Sequence, residues 1–468
     1  MMNTNFLLSV VQSSTPIEHM GYWSLLPTIV VIILAIYSKK TFESLLLGAI
    51  VGFVLLKQEL FFKAFTSSLL GVMNDEVIGW VILVCGLFGS LIHLLVKSGG
   101  AMAFADYVSK YIKSKKGALV ITWLLGLSIF IDDYLNALTV GSSMKKVTDK
   151  FKVSREMLAY IVDSTAAPVC VLVPFSTWAI YVSGLLETQG MAPQGEGLQA
   201  YLSAIPYFVY GWVAFLIVPL VAMGIIPAFG PMKKAEKRAQ EGQLAPNNSE
   251  AISLSLSATN NDYPSNLLHF VLPIIVLITA TIVFDTDALM GVITAISFTV
   301  IYYTVAKVMT VTSAMKEVFE GLKSMVYALG IIIMSFVLKD VNEALGLTQF
   351  IIDMVSPWMS KALLPAIAFT ALALITFATG SFWGTYAISL PIMIPLSQSL
   401  GVDPWLSIGA VVSAGAFGSH ACFYGDTTVL SSSASGCNNI AHVMTQLPYA
   451  LLAGGISTLI YLILGFIA

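Results

Sequence analysis

Apolar runs of helical length, separated by short polar punctuation, fill almost the whole chain. They fall at about 23–38, 42–56, 77–96, 118–131, 157–186, 201–227, 267–284, 288–308, 321–338, 362–379, 386–400, 405–437 and 448–467. A bilayer span needs about 20 consecutive apolar residues, so some runs are long enough to cross and others are not. The runs at 118–131 and 134–144 are short and separated by Asp132 and Asp133, and those at 362–379 and 386–400 are split by the stretch from Thr379 to Thr385. Backbone exposed at membrane depth is tolerated only where it lines a cavity or is buried in protein. Each broken pair therefore reads as a re-entrant hairpin. The run at 157–186 contains Pro168 and Pro174, which remove backbone donors and loosen the helix ladder.

Composition agrees. Of 468 residues, 57% are hydrophobic and 10% charged, against about a quarter charged in soluble proteins. The first twenty residues, with Glu18 and His19, lack the basic and apolar regions of a cleavable signal peptide. Charge distribution then decides the layout. If both broken elements are hairpins that return to the side they entered from, all 23 Lys and Arg share one face except Lys57, Lys63, Lys339 and Lys361. That is a strong positive-inside bias. A full crossing near Asp132 would separate Lys110–Lys116 from Lys145–Arg155 and spoil it. The expected fold is an all-α polytopic membrane protein with about ten transmembrane helices and two oppositely oriented re-entrant hairpins. Both termini are expected outside the cytoplasm, in a plasma (inner) membrane. The polar stretch 232–263 reads as a solvated cytoplasmic linker, with a regulatory helix as the alternative.

Sliding the sequence on itself overlays Phe130–Leu138 on Phe382–Leu390, and the same offset overlays Pro168–Cys170 on His420–Cys422. The matches are sparse, but they pair the two broken segments. An N-terminal repeat (1–231, cytoplasmic-side hairpin) and a C-terminal repeat (264–468, external-side hairpin) are expected in inverted topology. Inverted repeats with broken helices at the midplane are a signature of secondary transporters.

A carboxylate at membrane depth costs at least about 2.5–3.5 kcal/mol on the insertion scale unless partnered. Asp132, Asp133, Asp163 and Asp426 lie in apolar surroundings, and they are the candidate cation- and proton-binding residues. Asn136, Ser164, Thr165, Thr427 and Thr428 would add oxygens, with sodium expected at Asp163 and Asp426. Adjacent Asp132 and Asp133 cannot both point at one site on a helix, so one binds and the other caps a half-helix. His420 is either a proton carrier or a structural hydrogen-bond donor. Thr379, Ser381, Trp383 and Tyr424 are candidate proton or substrate contacts. His93 and His442 are expected in packing or interfacial roles, and Cys85, Cys170, Cys422 and Cys437 as small buried residues.

The run from Gly418 through Asp426 to Ser432 and the run from Cys437 to Leu451 resemble the NhaC family of sodium/proton antiporters. Phe130-Ile-Asp-Asp-Tyr-Leu-Asn136 and Asp163-Ser-Thr-Ala-Ala-Pro168 are similar to that family's first-half motifs. The resemblance implies inverted repeats, re-entrant hairpins and a dimeric scaffold. The chain departs from the pattern at Cys422-Phe-Tyr-Gly, where many relatives carry Cys-Ser-Pro-Ile-Ser, and at Asn438, Asn439 and Ala441, where acids are often found. Since the family includes exchangers of organic acids, the aromatic residues Phe382, Trp383, Tyr386, Phe423 and Tyr424 would suit an organic solute.

The leading expectation is sodium-coupled secondary active transport, exchanging sodium for protons by alternating access, with no cofactor other than sodium as transported or coupling ion. The alternative is sodium- or proton-coupled movement of a small carboxylate, amino acid or amine. Expected partners are the lipid bilayer, sodium, protons and a second copy of the chain as a homodimer; nucleic acid is not one. An enzyme is not expected. Tyr424-Gly-Asp426 lacks the first glycine of the Gly-x-Gly-Asp motif of intramembrane aspartyl proteases, and no phosphate-binding loop for ATP-driven pumping is present.

Overall fold

The computed structural model describes residues 19–38, 40–130, 133–174, 176–246, 266–284, 287–358, 360–380 and 382–467. Asp132 and Ser381 lie outside the described residues, as does the stretch 247–263. Among the described residues every regular element is helical. The helices that position the site are α1 (Lys115–Ser128), α2 (Asp133–Lys150), α3 (Arg155–Thr165), α4 (Thr177–Thr188), α5 (Val209–Ala222) and α6 (Gly230–Gln240) in the first half. In the second half they are α7 (Val326–Ala344), α8 (Leu364–Thr379), α9 (Phe382–Ser399), α10 (Pro404–Ala421), α11 (Asp426–Ser435) and α12 (Asn439–Ile467).

Among the described residues six helical segments are long and apolar enough to cross a membrane, or seven when the pair Gly197–Tyr207 and Val209–Ala222, bent by 58°, counts as one span. The ten spans expected above include runs that fold as shorter or broken helices. The run at 157–186 breaks after Thr165, where Ala166 leaves helical backbone ahead of Pro168. The run at 405–437 breaks over Cys422–Gly425, two of whose residues are extended or nearly so.

Both ends of the first hairpin, α1–α2, meet one carboxylate. Lys115, at the start of α1, pairs with Glu236 of α6. Ser154, in the turn after α2, donates to the same carboxylate through N–H (3.0 Å) and Oγ (2.7 Å). The chain thus returns to the face it left. Arg238 of α6 donates to both oxygens of Glu156 (2.9 and 2.7 Å), so the first part of the expected linker is a docked helix rather than a solvated segment. Arg155 closes this face, donating to Asp149 Oδ2 (2.7 Å) and to the carbonyl of Ser435 (2.9 Å) at the end of α11. A cation there complements the negative end of the helix dipole.

The second hairpin, α8–α9, opens toward the far end of α12. Tyr449 of α12 accepts from the N–H of Phe229, just before α6. Gly465 lies against the carbonyl of Ala362, just before α8, about 24 Å farther along the helix at 1.5 Å per residue. The other end of the hairpin is nearby: Tyr207 donates to Asp403 (3.3 Å), and its carbonyl accepts from Tyr461 of α12 (2.6 Å). The two hairpins therefore enter the protein from opposite ends.

Helices α2 and α11 pack side by side and run parallel from the centre toward the α6 face. Gly141 makes this approach possible, because a Cβ there would come within 2.7 Å of the Cβ of Ala434. Small residues at such contacts let helix backbones close on one another.

Candidate functional site

Asp133 and Asp426 open α2 and α11, so two half-helix N-termini meet at the centre. Each terminus presents roughly half a positive charge, which offsets the cost of a buried carboxylate. Both acids are buried, at 1% and 4% exposure. Thr427 Oγ1 donates to Asp133 Oδ2 (2.6 Å), and its N–H donates to Asp426 Oδ1 (2.8 Å). Tyr134 Oη donates to Asp426 Oδ2 (2.5 Å). The residue after each acid thus binds the acid of the other helix. Asn136, one turn into α2, donates through Nδ2 to the carbonyls of Gly126 (2.7 Å), Ile129 (2.9 Å) and Thr165 (3.0 Å). It ties up carbonyls freed at the first hairpin break and at the end of α3.

Asp163, on α3, belongs to a second network. Its Oδ2 accepts from Gln446 Nε2 (2.6 Å) and lies 3.2 Å from His442 Nε2, both on α12. Gln446 Nε2 donates also to the carbonyl of His420 (2.5 Å). The His420 ring sits between Ser164 Oγ (Nε2, 2.9 Å) and Tyr210 Oη of α5 (Nδ1, 2.6 Å). Asp163 Oδ1 is buried and has no hydrogen-bond partner among the described residues.

The expected oxygens divide accordingly. Ser164 and Thr427 reach across to the opposite half. Thr165 Oγ1 donates back to Ile161 and Val162 on its own helix (3.0 Å each), and Thr428 Oγ1 to Ser419 (3.0 Å). Asp163 and Asp426 both lie at breaks of the central helices, but among the described residues no hydrogen bond joins them. Nor do three or more His, Cys, Asp or Glu side chains there close on one metal-sized point.

The second hairpin break carries no acid among its described residues. Gly380 turns it with φ +69°, and a Cβ there would come within 2.7 Å of the Tyr424 ring. The carbonyl of Ala378 accepts from Tyr424 Oη (2.6 Å), Asn342 Nδ2 of α7 (3.2 Å) and Thr28 Oγ1 (3.2 Å). Thr379 Oγ1 donates to Ile375 within its own helix (2.9 Å). Beyond the break, Trp178 of α4 stacks on Phe382 with centroids 3.7 Å apart, and Trp383 and Tyr386 flank them. The carbonyl of Trp383 accepts from Tyr181 (3.0 Å), while the indole Nε1 of Trp383 and that of Trp178 are buried without partners among the described residues.

Four residues of the networks around Asp133, Asp426 and Asp163 lie outside the set expected from sequence: Tyr134, Tyr210, His442 and Gln446. His442, expected in a packing or interfacial role, is fully buried, and its Nε2 lies 3.2 Å from Asp163 Oδ2. The available signal was its spacing. His442 and Gln446 are four apart and share one helix face, so an apolar helix carries two polar groups pointing the same way.

Buried carboxylates at the breaks of opposed helical elements in a multi-pass membrane protein define a secondary transporter. The chain belongs to the Na+/H+ antiporter family, which it matches over residues 194–466. It is 30% identical to an uncharacterized protein of Haemophilus influenzae over 98% of this chain and 93% of that one. Shorter similarities reach the malate-2H(+)/Na(+)-lactate antiporter of Bacillus subtilis (33% identity over 20% of each chain) and the arginine/ornithine antiporter of Halobacterium salinarum (31% over 32% of each). Among solved structures, the YdaH transporter of Alcanivorax borkumensis aligns over 94% of this chain and 98% of its own, at 13% identity and a TM-score of 0.37.

Proposed function

We propose that the protein exchanges sodium for protons by alternating access, with Asp163 as the anchor of the cation site and Asp133 and Asp426 as the neighbouring acids that take part in proton exchange. The observation that carries this reading is Asp163 Oδ1, a buried carboxylate oxygen with no donor among the described residues. Burying such an atom is costly unless a proton or a cation meets it. Competition between the two for the same carboxylates couples their fluxes. Asp426 differs in that both its oxygens accept hydrogen bonds. Opposed hairpins support alternating access. So does a shared contact in the two halves: Cys170 Sγ donates to the Phe130 carbonyl (3.3 Å) and Cys422 Sγ to the Phe377 carbonyl (3.2 Å), each near a hairpin break. In this reading residues 1–231 and 264–468 are the inverted repeats. The protein works in the plasma membrane as a homodimer, with its termini outside the cytoplasm.

The test is a proteoliposome assay in which an imposed sodium gradient drives proton movement, followed by an internal pH dye. Wild-type protein is expected to move protons against sodium, and Asp163→Asn and Asp426→Asn each to lower the rate at least about tenfold. Full activity in both variants would remove the proposed ion site.

A second reading, exchange of a small organic solute, rests on the aromatic wall of Trp178, Phe382, Trp383 and Tyr386, whose two indole N–H groups have no partner among the described residues. The names of the two antiporter relatives favour carboxylates or amino acids. Solute-dependent, sodium-requiring thermal stabilisation of the purified protein would establish it.

A further inference from the structure

Gln446 is placed at the Asp163 site by α12, and its hydrogen bonds leave its amide only one orientation. The carbonyl of His420 can accept but not donate, so the Gln446 atom 2.5 Å from it is the NH2 group. That group's second N–H reaches Asp163 Oδ2 at 2.6 Å. With both N–H groups engaged, Oε1 is left as the amide's free acceptor. It is buried and, among the described residues, without a hydrogen-bond partner, on a side chain with no exposed surface. Asp163 Oδ1 is in the same condition. Two side chains joined by one hydrogen bond thus each leave one buried oxygen with no donor among the described residues. Two such oxygens on bonded side chains suit a cation. Carboxylate and amide oxygens are the ligand types hard cations prefer. One carboxylate with one neutral amide also balances a single monovalent charge in a low-dielectric setting.

We infer that Gln446 Oε1 is a direct ligand of the cation held at Asp163, so that α12 of the second half completes a site begun by α3 of the first. This rests on the sodium reading above and adds a binding residue to it. The same amide N–H holds the carbonyl of His420 at the end of α10. A cation drawn to Oε1 is thereby linked to the α10–α11 break that also carries Asp426.

Sodium-dependent thermal unfolding of the full chain in lipid nanodiscs tests this, with sodium chloride titrated against choline chloride at constant ionic strength. Gln446→Leu removes the oxygen and the N–H groups, whereas Gln446→Glu keeps oxygens there but no N–H donor. The sodium midpoint is expected to rise at least about tenfold in the Leu variant and to return toward the wild-type value in the Glu variant. A purely structural role would lower the unfolding temperature without sodium and leave the midpoint in place, which overturns the assignment. A midpoint raised equally in both variants also overturns it, because the N–H groups would then be what matters. Wild-type protein showing no sodium-dependent shift overturns the sodium reading itself, and this assignment with it. If the Leu variant does not fold, the Glu variant decides alone: a sodium midpoint raised tenfold or more overturns the ligand role, and one near wild type upholds it.

Discussion

Tyr134 and Thr427 hold the junction of Asp133 and Asp426 by crossing over, each following one acid in sequence and binding the other in space. A hydrogen bond to a charged group contributes about 1.5–3 kcal/mol, and leaving a buried acceptor unsatisfied costs its desolvation. Tyr134→Phe deletes one hydroxyl and leaves the ring in place, so it is expected to lower unfolding stability by about that amount and to slow sodium-driven proton movement. Thermal unfolding alongside the flux assay checks both, and unchanged values in each would show that the 2.5 Å contact contributes nothing. The acids themselves were legible in the sequence because a carboxylate in an apolar run is an energetic anomaly that needs a partner. Their partners were not. Gln446, Tyr134 and Tyr210 carry no charge, so they do not stand out as a carboxylate does, and they gain their roles from contacts far along the chain. Asp163 and His442 are separated by 279 positions, and nothing local to His442 reveals the acid beside it.

The elements behave according to where their backbones break. The hairpin breaks after Ser128 and at Gly380 were readable from an acid pair and from the stretch from Thr379 to Thr385, and Pro168 foretold the loosened end of α3. The break at Cys422–Gly425 was not readable as a break. Its residues carry no proline, and the run around it reads as one apolar helix; the chain leaves helical geometry there as Tyr424 closes on the second hairpin at Gly380 and Ala378. The parallel pair α2 and α11 follows from these breaks, since both helices begin at the centre and end on the α6 face. Their contact depends on Gly141. Gly141→Leu would force side-chain atoms into Ala434, and overpacking of this kind costs about 1–3 kcal/mol. The shift would also separate Asp133 from Thr427. Loss of transport with retained folding, measured by flux and by thermal unfolding on the same preparation, is the expected outcome. Normal transport would mean the two helices can part without harm to the junction.

At the scale of the whole molecule, the two hairpins reach opposite ends from one centre. The first end is covered by α6, through Lys115, Ser154 and Glu236 and through Arg238 and Glu156. The second lies at the far end of α12, where Ala362, Tyr207 and Asp403 gather. Lys115, Arg155 and Arg238 meet at the α6 face, the side that a positive-inside bias would assign to the cytoplasm. If the hairpins are the moving parts of alternating access, residues at their outer ends belong to opposite sides of the membrane in every state of the cycle. Single cysteines at Ser114 and Ala362 test this in sealed vesicles of known orientation with a membrane-impermeant maleimide. The four native cysteines are buried, so background labelling is expected to be low. Ser114→Cys should react only from the cytoplasmic side and Ala362→Cys only from the other. Labelling of both from one side would place the two hairpins on a common face, and the inverted arrangement of the halves would fall with it.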